Sequence, residues 1–356
     1  DDARRVHAGE REEWRVRRRN DTQRRALPDA EVLPLFLDED VDLVLEQFES
    51  RDCGDWFEPV PNVRARFHEA GHILGSAWIE LEIREGAETK RIAFTGDYGR
   101  KNQPILRDPE PLERADVIIS ESTYGNRLHP AHEALDAELA EAVKRLAQRG
   151  RGRLLIPAFA VGRTQHILYS LARLYRRELV PPVRVVVDSP LATAATEILV
   201  RHANCFDEEA QLEHRYWREG SPLTRWLTFT SSVEDSKALN ADPRPTIVIS
   251  ASGMMESGRI LHHLAWHASD PATEILVVGF QAEHTLGRRI LDGAQRVRIF
   301  GLETDVRARV TPMLGFSAHA DRDDLLAALE GHQPSARAVF LVHGEDEQRR
   351  PLGETL

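Results

Sequence analysis

Apolar and polar residues follow two different periods along the chain. Residues 77–83 alternate, with Trp78 and Glu80 on one face and Ile79 and Leu81 on the other. This pattern predicts a half-buried strand. Residues 130–149 instead repeat apolar positions every three or four residues and stop at Gly150. That pattern predicts an amphipathic helix that ends at a glycine.

Strand-like and helix-like patterns alternate between residues 154 and 291. Buried strands are predicted at 154–156, 183–187, 246–249 and 275–278, and helices follow the first, third and fourth of them. Such alternation predicts a parallel sheet, so the fold class is α/β. Residues 1–26 are predicted to be helical and highly charged. Residues 203–245 are polar and irregular, and no element is predicted there.

Carboxylates and histidines stand in the turns that follow several apolar segments. Asp97 follows the β-forming run 92–95, and Glu121 follows the run 117–119. His72, His319 and His343 each lie in or just before a turn. Because strand ends meet at one edge of an α/β sheet, we expect these five side chains to converge there. Imidazole and carboxylate groups are good zinc ligands, so the pattern predicts a metal site.

The segment from His68 to His72 also matches the H-E-x-x-H motif of zinc proteases. That motif works only when both histidines lie one turn apart on a helix. Gly71 disfavours a helix here, and the flanking segments alternate like strands. We therefore expect His68 and His72 on a loop between two strands, and we interpret the match as coincidental.

Composition narrows the functional classes only modestly. The formal net charge is −11, which gives no overall basic signature for nucleic acid but leaves local basic patches possible. The two cysteines, Cys53 and Cys205, suggest a reducing compartment and a cytoplasmic protein. No run approaches 18 apolar residues, so no membrane partner is expected.

Six short motifs occur in a fixed order along the chain, and together they are specific enough to indicate a family. They are A-G-H-x-L-G-S, F-T-G-D, E-S-T-Y-G, S-G-M, F-S-A-H and L-V-H-G. In this order they resemble the β-CASP nucleases of the metallo-β-lactamase superfamily. The resemblance implies an αββα metallo-β-lactamase sandwich, N-terminally truncated, with an inserted β-CASP α/β domain that contains a mainly parallel sheet. The expected division is 1–125 and 309–356 for the sandwich and 126–308 for the insert.

The same resemblance implies roles for single residues. His72 looks like a ligand of a first Zn²⁺, His343 like a ligand of a second, and Asp97 like the carboxylate that bridges both. Glu121 and His319 resemble the pair that holds the scissile phosphate and protonates the leaving oxygen, and a carboxylate bonded to an imidazole suits a general acid. Phosphate contacts are expected from the insert, at Arg163, Ser252 and Gly253.

One part of the family pattern is missing. The motif H-x-H-x-D-H supplies four of the seven metal ligands in the family, yet no H-x-H occurs in these 356 residues. The chain begins at Asp1 without a methionine, so we expect that the motif was lost by truncation. On this expectation the full-length parent is an enzyme, and this chain is a fragment without full activity.

The leading hypothesis is a zinc-dependent nuclease that processes single-stranded RNA. A non-catalytic RNA-binding or scaffold subunit is the first alternative, and a small-molecule hydrolase such as a thioesterase or lactonase is the second. Endonuclease and 5′-exonuclease modes, a preference for RNA or DNA, and a possible homodimer are all left open by the sequence.

Overall fold

Two six-stranded sheets carry the fold of residues 52–356. The computed structural model describes residues 36–217, 223–330 and 336–356. The helix predicted at 1–26 lies outside the described residues. Helix α1 (Asp38–Leu45) belongs to a separate compact unit that ends at Arg51.

The first sheet is mixed. It contains β1 (Phe57–Val60), β2 (Val63–Glu69), β3 (Ala77–Glu85), β4 (Glu88–Phe94), β5 (Val117–Glu121) and β14 (Ala338–Val342). The spatial order is β1-β2-β3-β4-β5-β14. Strands β1 to β4 pair antiparallel, whereas β5 pairs parallel with both β4 and β14. The last strand therefore returns to this sheet after a long excursion of the chain.

The two faces of the mixed sheet differ. Trp78, Ala93 and Ile118 are fully buried on one face, against helices α9 (Arg322–Glu330) and α10 (Asp346–Thr355). On the other face one cross-strand row is entirely apolar: Phe67, Ile79, Phe94 and Ile119 are half-buried, and Phe340 at its end is exposed. An apolar face of this kind is what one layer of a sandwich presents to another layer.

The second sheet is parallel throughout. It contains β6 (Arg153–Pro157), β7 (Arg184–Val187), β8 (Leu227–Phe229), β9 (Thr246–Ser250), β10 (Glu274–Val277) and β13 (Arg309–Pro312) in the order β13-β10-β6-β9-β7-β8. Every residue of β6, β9 and β10 is buried. The central strands therefore read as continuous apolar runs, as expected for a sheet covered on both faces.

Helices and a hairpin complete this half. The helices are α2 (His132–Arg149), α3 (Arg163–Arg176), α4 (Pro190–Arg201), α5 (Glu208–Trp217), α6 (Val233–Ala241), α7 (Ile260–His267) and α8 (Leu286–Leu291), and the hairpin is β11 (Arg296–Ile299) with β12 (Leu302–Asp305). None of the helices in the described part of the chain is both long and apolar enough to cross a membrane.

The α/β class and the parallel sheet are confirmed. The prediction that 203–245 lacks regular structure is wrong, since α5, β8 and α6 lie there. These elements are short, and apolar residues such as Leu212 and Val233 are exposed on them, so no clear apolar period marks them in the sequence. Residues 309–312 form β13 in the parallel sheet, so the chain returns to the mixed sheet only after Pro312.

Several histidines are buried near the start of α2 and α3. His132, the first residue of α2, lies with its ring centroid 5.5 Å from that of His166 in α3. Burial, and then the charge of Arg100, lower the pKa of His132 to about 4. The pKa of His166 is lowered in the same direction, chiefly by burial. These rings are therefore neutral in the folded protein at neutral pH.

This burial predicts acid sensitivity. Between an ordinary pKa of 6.5 and the folded value of about 4, the unfolded chain binds a proton that folded His132 does not. The free energy of unfolding must then fall as the pH falls through this window. We expect His132 alone to remove about 2 kcal/mol between about pH 7 and about pH 5.

Urea unfolding of wild type, His132→Gln and His202→Gln at both pH values measures this contribution. His202 is exposed at the end of α4 and serves as the matched control. His132→Gln should lose less stability on acidification than the other two proteins. An identical pH dependence in all three would contradict the prediction.

Candidate metal centre

The carboxyl ends of three neighbouring strands form the base of the site. Phe94 of β4 lies opposite Ile119 of β5, and Val342 of β14 lies opposite Glu121. Asp97 therefore emerges just beyond β4, Glu121 ends β5, and His343 follows β14 directly. The predicted convergence of strand-end residues is present in the structure.

Asp97 faces two imidazole rings with its two different oxygens. Its Oδ2 lies 3.8 Å from His72 Nε2, and its Oδ1 lies 3.4 Å from His343 Nδ1. Two ligand atoms bound to one tetrahedral zinc at about 2.0–2.2 Å lie about 3.4 Å apart. The spacing on both sides of the carboxylate is therefore compatible with one ion on each side.

The turn that carries His72 is built by its neighbours in the motif. Gly71 adopts φ +65°, and Ser76 Oγ accepts hydrogen bonds from the backbone N–H groups of His72 and Ile73. The carbonyl of Ser76 also accepts a hydrogen bond from Ala70 N–H. A short hydroxyl side chain that bonds backbone groups three or four residues away is a common device for closing a turn. Ser76 therefore explains part of the A-G-H-x-L-G-S motif.

A close backbone crossing aligns the His72 turn with the Asp97 turn. Gly99 N–H donates to the Ala70 carbonyl at 2.7 Å. A Cβ atom on Gly99 would lie 2.1 Å from the Gly71 carbonyl oxygen, which is far inside van der Waals contact. Only glycine fits at position 99, because the two backbones touch there.

His72 is in the protonation state that a metal requires. Burial, and then the charge of His319, lower the pKa of His72 to about 4, although Asp97 and Glu121 act in the opposite sense. The ring is therefore neutral at neutral pH. Metal binding needs the neutral form of histidine, so no proton has to be displaced.

Glu121 and His319 form a direct pair. His319 Nδ1 lies 3.0 Å and 3.1 Å from the two carboxylate oxygens of Glu121. The same carboxylate accepts a hydrogen bond of 2.6 Å from the backbone N–H of Tyr98. Glu121 is 1% exposed, so these two donors compensate its burial and fix its orientation.

The segment around His319 is held by backbone bonds to the Asp97 turn. Arg100 N–H donates to the Ala318 carbonyl, and Ala320 N–H donates to the Tyr98 carbonyl. His129 places its Nε2 3.2 Å from the His319 carbonyl oxygen. A short 3₁₀ turn at Leu314–Phe316 precedes His319.

Thr123 orients the exposed ring of His343. Its hydroxyl lies 3.1 Å from His343 Nδ1 and donates to the His343 carbonyl at 3.0 Å. His343 itself has φ +49°, which turns its side chain back over the strand end. A metal bound at Nδ1 would replace the Thr123 contact at that nitrogen.

The donor set fits a metal ion. Two triads have ligand atoms within 4.8 Å of one another, namely His72-Asp97-His319 and Glu121-His319-His343. The rings of His72 and His319 have centroids 4.3 Å apart. The five residues singled out from the sequence thus lie in one cluster.

The zinc-protease interpretation of His68 is excluded by the secondary structure. His68 lies on strand β2, not on a helix and not in the loop that we expected for it. Its ring stacks on Trp78 with centroids 3.7 Å apart, and its nitrogens contact Glu80 and Glu110 at 3.0 Å each. His68 is therefore a structural residue and, unlike His72, does not belong to the candidate metal cluster.

Arg163 begins helix α3 and carries unsatisfied donors. Its Nε and Nη1 atoms are buried and have no hydrogen-bond partner in the described part of the protein. Burial lowers the pKa of this guanidinium to about 10, and Tyr124 and Arg100 are its electrostatic neighbours. Two buried guanidinium nitrogens without an acceptor are unfavourable, so the position favours an anionic ligand.

Ser252 and Gly253 lie in the turn that follows strand β9, and several polar groups of this turn form hydrogen bonds with one another. Ser252 Oγ accepts hydrogen bonds from Glu256 N–H and Ser257 N–H, and Met255 N–H donates to the Ser252 carbonyl. Gly253 packs against Phe159, whose ring would lie 2.9 Å from a Cβ atom at that position. Because Ser252 Oγ acts as an acceptor in both of these bonds, its O–H group can still donate a hydrogen bond.

Two known sequence families match the chain. The Beta-Casp domain family matches residues 164–290. The Zn-dependent metallo-hydrolase RNA specificity domain family matches residues 303–356. The first covers strands β7 to β10 of the parallel sheet and the helices between and beside them, and the second covers β13, β14 and the turns that carry His319 and His343.

Curated relatives extend the similarity to most of the chain. Ribonuclease TTHA0252 of Thermus thermophilus is 36% identical over 325 residues, which is 91% of this chain and 72% of that relative. The RNase J-like protein of Methanocaldococcus jannaschii is 29% identical over 326 residues, 90% of this chain and 73% of its own length. Transcription termination factor FttA of Methanosarcina mazei is 33% identical over 300 residues, or 81% of this chain, which spans 46% of that longer protein.

The crossing of Gly71 and Gly99 generates a prediction about stability. Gly99→Ala should lower the free energy of unfolding by about 2 kcal/mol, since the new methyl group overlaps backbone atoms that cannot move aside cheaply. Gly279→Ala is the matched control, because a Cβ atom there meets nothing within 4 Å. Urea unfolding should show a change below about 0.5 kcal/mol for the control. Equal stability of the two variants would refute the packing argument.

Proposed function

This chain belongs to the β-CASP family of RNA-processing nucleases in the metallo-β-lactamase superfamily, and we propose that it supplies part of a two-zinc site that hydrolyses phosphodiester bonds of single-stranded RNA. The membership rests on the 36% identity with a ribonuclease across 91% of the chain. The single observation that supports the two-metal mechanism is Asp97, whose two oxygens face His72 and His343 separately.

We propose His72 as a ligand of the first zinc, His343 as a ligand of the second, and Asp97 as the bridge. The neutral state of His72 and the 3.4–3.8 Å separations support these assignments. Zinc bound there would supply Lewis acidity toward the phosphate and lower the pKa of an attacking water. The chain's own contribution is to fix the donor atoms before the substrate arrives.

Glu121 and His319 are proposed to act on the leaving group. His319 Nδ1 is engaged by Glu121, which leaves Nε2 as the nitrogen that can carry a proton toward the site. The buried carboxylate stabilises the imidazolium, and Tyr98 N–H keeps the carboxylate in place. A positioned imidazole of this kind can protonate the departing oxygen as the P–O bond breaks.

Arg163, Ser252 and Gly253 are proposed to bind the RNA backbone. The unpaired donors of Arg163 support this role, since a phosphate would compensate its buried charge. The free Ser252 O–H group and the Gly253 amide lie at the carboxyl end of β9, next to the end of β6 that leads to Arg163. These three residues belong to the parallel-sheet half.

The domain division follows from this assignment. We propose that residues 52–125 and 313–356 form the metallo-β-lactamase part, with the β-CASP domain between them. The start at 313 moves the expected boundary by four residues, because β13 pairs within the parallel sheet. A cytoplasmic location and a possible homodimer stay predictions, and both the exonuclease and the endonuclease mode are compatible with this assignment.

The Glu121–His319 pair also separates the enzyme from the scaffold alternative. A non-catalytic subunit has no need of a buried carboxylate aligned on an imidazole at 3.0 Å. A thioesterase or lactonase would not use the Arg163 guanidinium that we assign to a phosphate. Neither alternative is favoured by an observation of its own.

The proposed roles of Asp97 and Glu121 predict different effects of mutation on zinc content and on RNA cleavage. In the native gene product, Glu121→Gln and His319→Ala should each reduce kcat on single-stranded RNA by at least about a hundredfold while zinc content stays unchanged. Asp97→Asn should lose cleavage and zinc together, because it contacts both histidines. Zinc is measured by mass spectrometry of the metal, and cleavage by gel assay.

Glu110→Gln is the matched carboxylate control, since Glu110 contacts His68 away from the site. It should keep both zinc and cleavage. Unchanged turnover in Glu121→Gln and His319→Ala would end the general-acid assignment. Retained zinc in Asp97→Asn would end the bridging assignment.

Arg163 predicts a substrate-binding defect. Arg163→Gln should raise KM for single-stranded RNA about tenfold or more and change kcat less, because a charge-assisted contact to phosphate is lost. Arg177→Gln, at the exposed far end of the same helix, should leave both constants unchanged. A KM equal to wild type in Arg163→Gln would contradict the phosphate contact.

A further inference from the structure

A cavity of about 150 Å³ opens directly beside His72. Leu74, Ile105, Val161, Ile198 and Leu199 give it apolar walls. These residues come from the His72 turn and the following loop on one side and from the turn before α3 and helix α4 on the other. The cavity thus lies where the two halves of residues 52–356 meet, next to the candidate metal ligand.

Two residues that line this cavity carry a buried polar atom without a hydrogen-bond partner among the described residues, namely His72 at Nδ1 and Gln103 at Oε1. Gln103 lines the cavity and is 7% exposed. Its Nε2 lies 3.5 Å from the His72 carbonyl, whereas its Oε1 is buried without a hydrogen bond to any described residue. A buried carbonyl oxygen without a donor is unfavourable. The wall therefore presents one acceptor that a ligand N–H group would satisfy.

The loop that holds Gln103 is strained. Asn102 has φ +56° and Ile105 has φ +85°. A β-branched residue at positive φ is an outlier, and such strain concentrates at ligand-binding sites. Contacts on both sides hold the loop in this form, since Asn102 N–H donates to Asp108 Oδ1 and Asp207 N–H donates to the Ile105 carbonyl. Gln103 is thus held in place before any ligand arrives.

The size and chemistry of the cavity identify a class of ligand. An apolar cavity of about 150 Å³ accommodates benzene, a single six-membered ring. The ring should be flat and apolar on its faces, and it should carry an N–H donor on its edge for Gln103 Oε1. Uracil and cytosine meet all three conditions, and their single ring matches the benzene-sized volume more closely than the two rings of a purine do.

We propose that this cavity is a subsite for one pyrimidine base of the RNA, at the nucleotide next to the cleaved bond. The proposal rests on the proposed nuclease function and adds a sequence preference to it. His72 belongs both to the cavity wall and to the metal cluster, so a base in the cavity is attached to a phosphate near that cluster. Gln103 is the residue that sets the preference.

Two neighbouring alanines on α4 allow a sharp test. Ala195 lines the cavity, whereas Ala194 is exposed on the same helix and does not line it. Ala195→Leu fills the cavity, and Ala194→Leu adds the same side chain one residue away. Gln103→Leu removes the acceptor while keeping a similar volume. Thermal unfolding of each variant confirms that it is folded.

The experiment uses the native gene product and two readouts. Fluorescence anisotropy measures affinity for end-labelled single-stranded RNAs that differ at one position, with U, C, A or G there. Steady-state cleavage of the same RNAs measures the preference in kcat/KM. We expect wild type and Ala194→Leu to prefer the pyrimidine RNAs about tenfold, the effect of one buried hydrogen bond. Ala195→Leu and Gln103→Leu should bind all four RNAs alike.

If wild type binds and cuts RNA but has equal affinity for the purine and pyrimidine RNAs, the base-subsite proposal is wrong and the proposed nuclease function still stands. A pyrimidine preference that survives in Ala195→Leu would overturn the base-subsite proposal as well. Failure of every variant and of wild type to bind RNA would instead overturn the proposed nuclease function, and the pocket with it.

Discussion

The pairing of β14 with β5 is the constraint on which the site depends. These strands are separated by more than 200 residues of sequence, yet they pair in one register that places Val342 opposite Glu121. A slip by one residue would move His343 to the other face of the sheet. Ser122 locks the register, because its Oγ donates to the Val342 carbonyl and its N–H donates to the His343 carbonyl. Gly344 permits this approach, since a Cβ atom there would lie 2.4 Å from Ser122 Oγ.

The parallel-sheet half lies between these two strands in sequence and meets the site from the other side. It brings an unpaired guanidinium at Arg163 and the wall of an apolar cavity to the edge where the mixed sheet presents its histidines and carboxylates. In the proposed assignment, the metal ligands and the leaving-group pair come from one half, and the substrate contacts come from the other. On that assignment neither half holds both the phosphate and the acid.

Much of this arrangement could be predicted from sequence, because it depends on periodicity and on strand ends. The apolar runs before Asp97, Glu121 and His343 are short and clear, and the parallel sheet follows from β-α-β alternation. The partners of these residues were not predictable in the same way. Ser76 and Thr123 stand within the recognised motifs, but their bonds depend on turn geometry that a pattern does not describe.

Other features left no periodic signal at all. Gln103 matters because its oxygen is buried without a partner, and burial of one amide in a loop depends on contacts from distant segments. The short elements α5, β8 and α6 were missed because their apolar positions are few and they depend on the neighbouring sheet for their stability. Long-range packing, not local propensity, decides such regions.

The most direct test of the central claim is anomalous X-ray scattering at the zinc edge from crystals of the native gene product. The account predicts anomalous peaks on both sides of the Asp97 carboxylate, one within about 2.0–2.2 Å of His72 and the other at the same distance from His343. A single peak elsewhere, such as at His68 and Glu110, or no peak within coordination distance of Asp97, would contradict the assignment of this cluster as a two-metal centre.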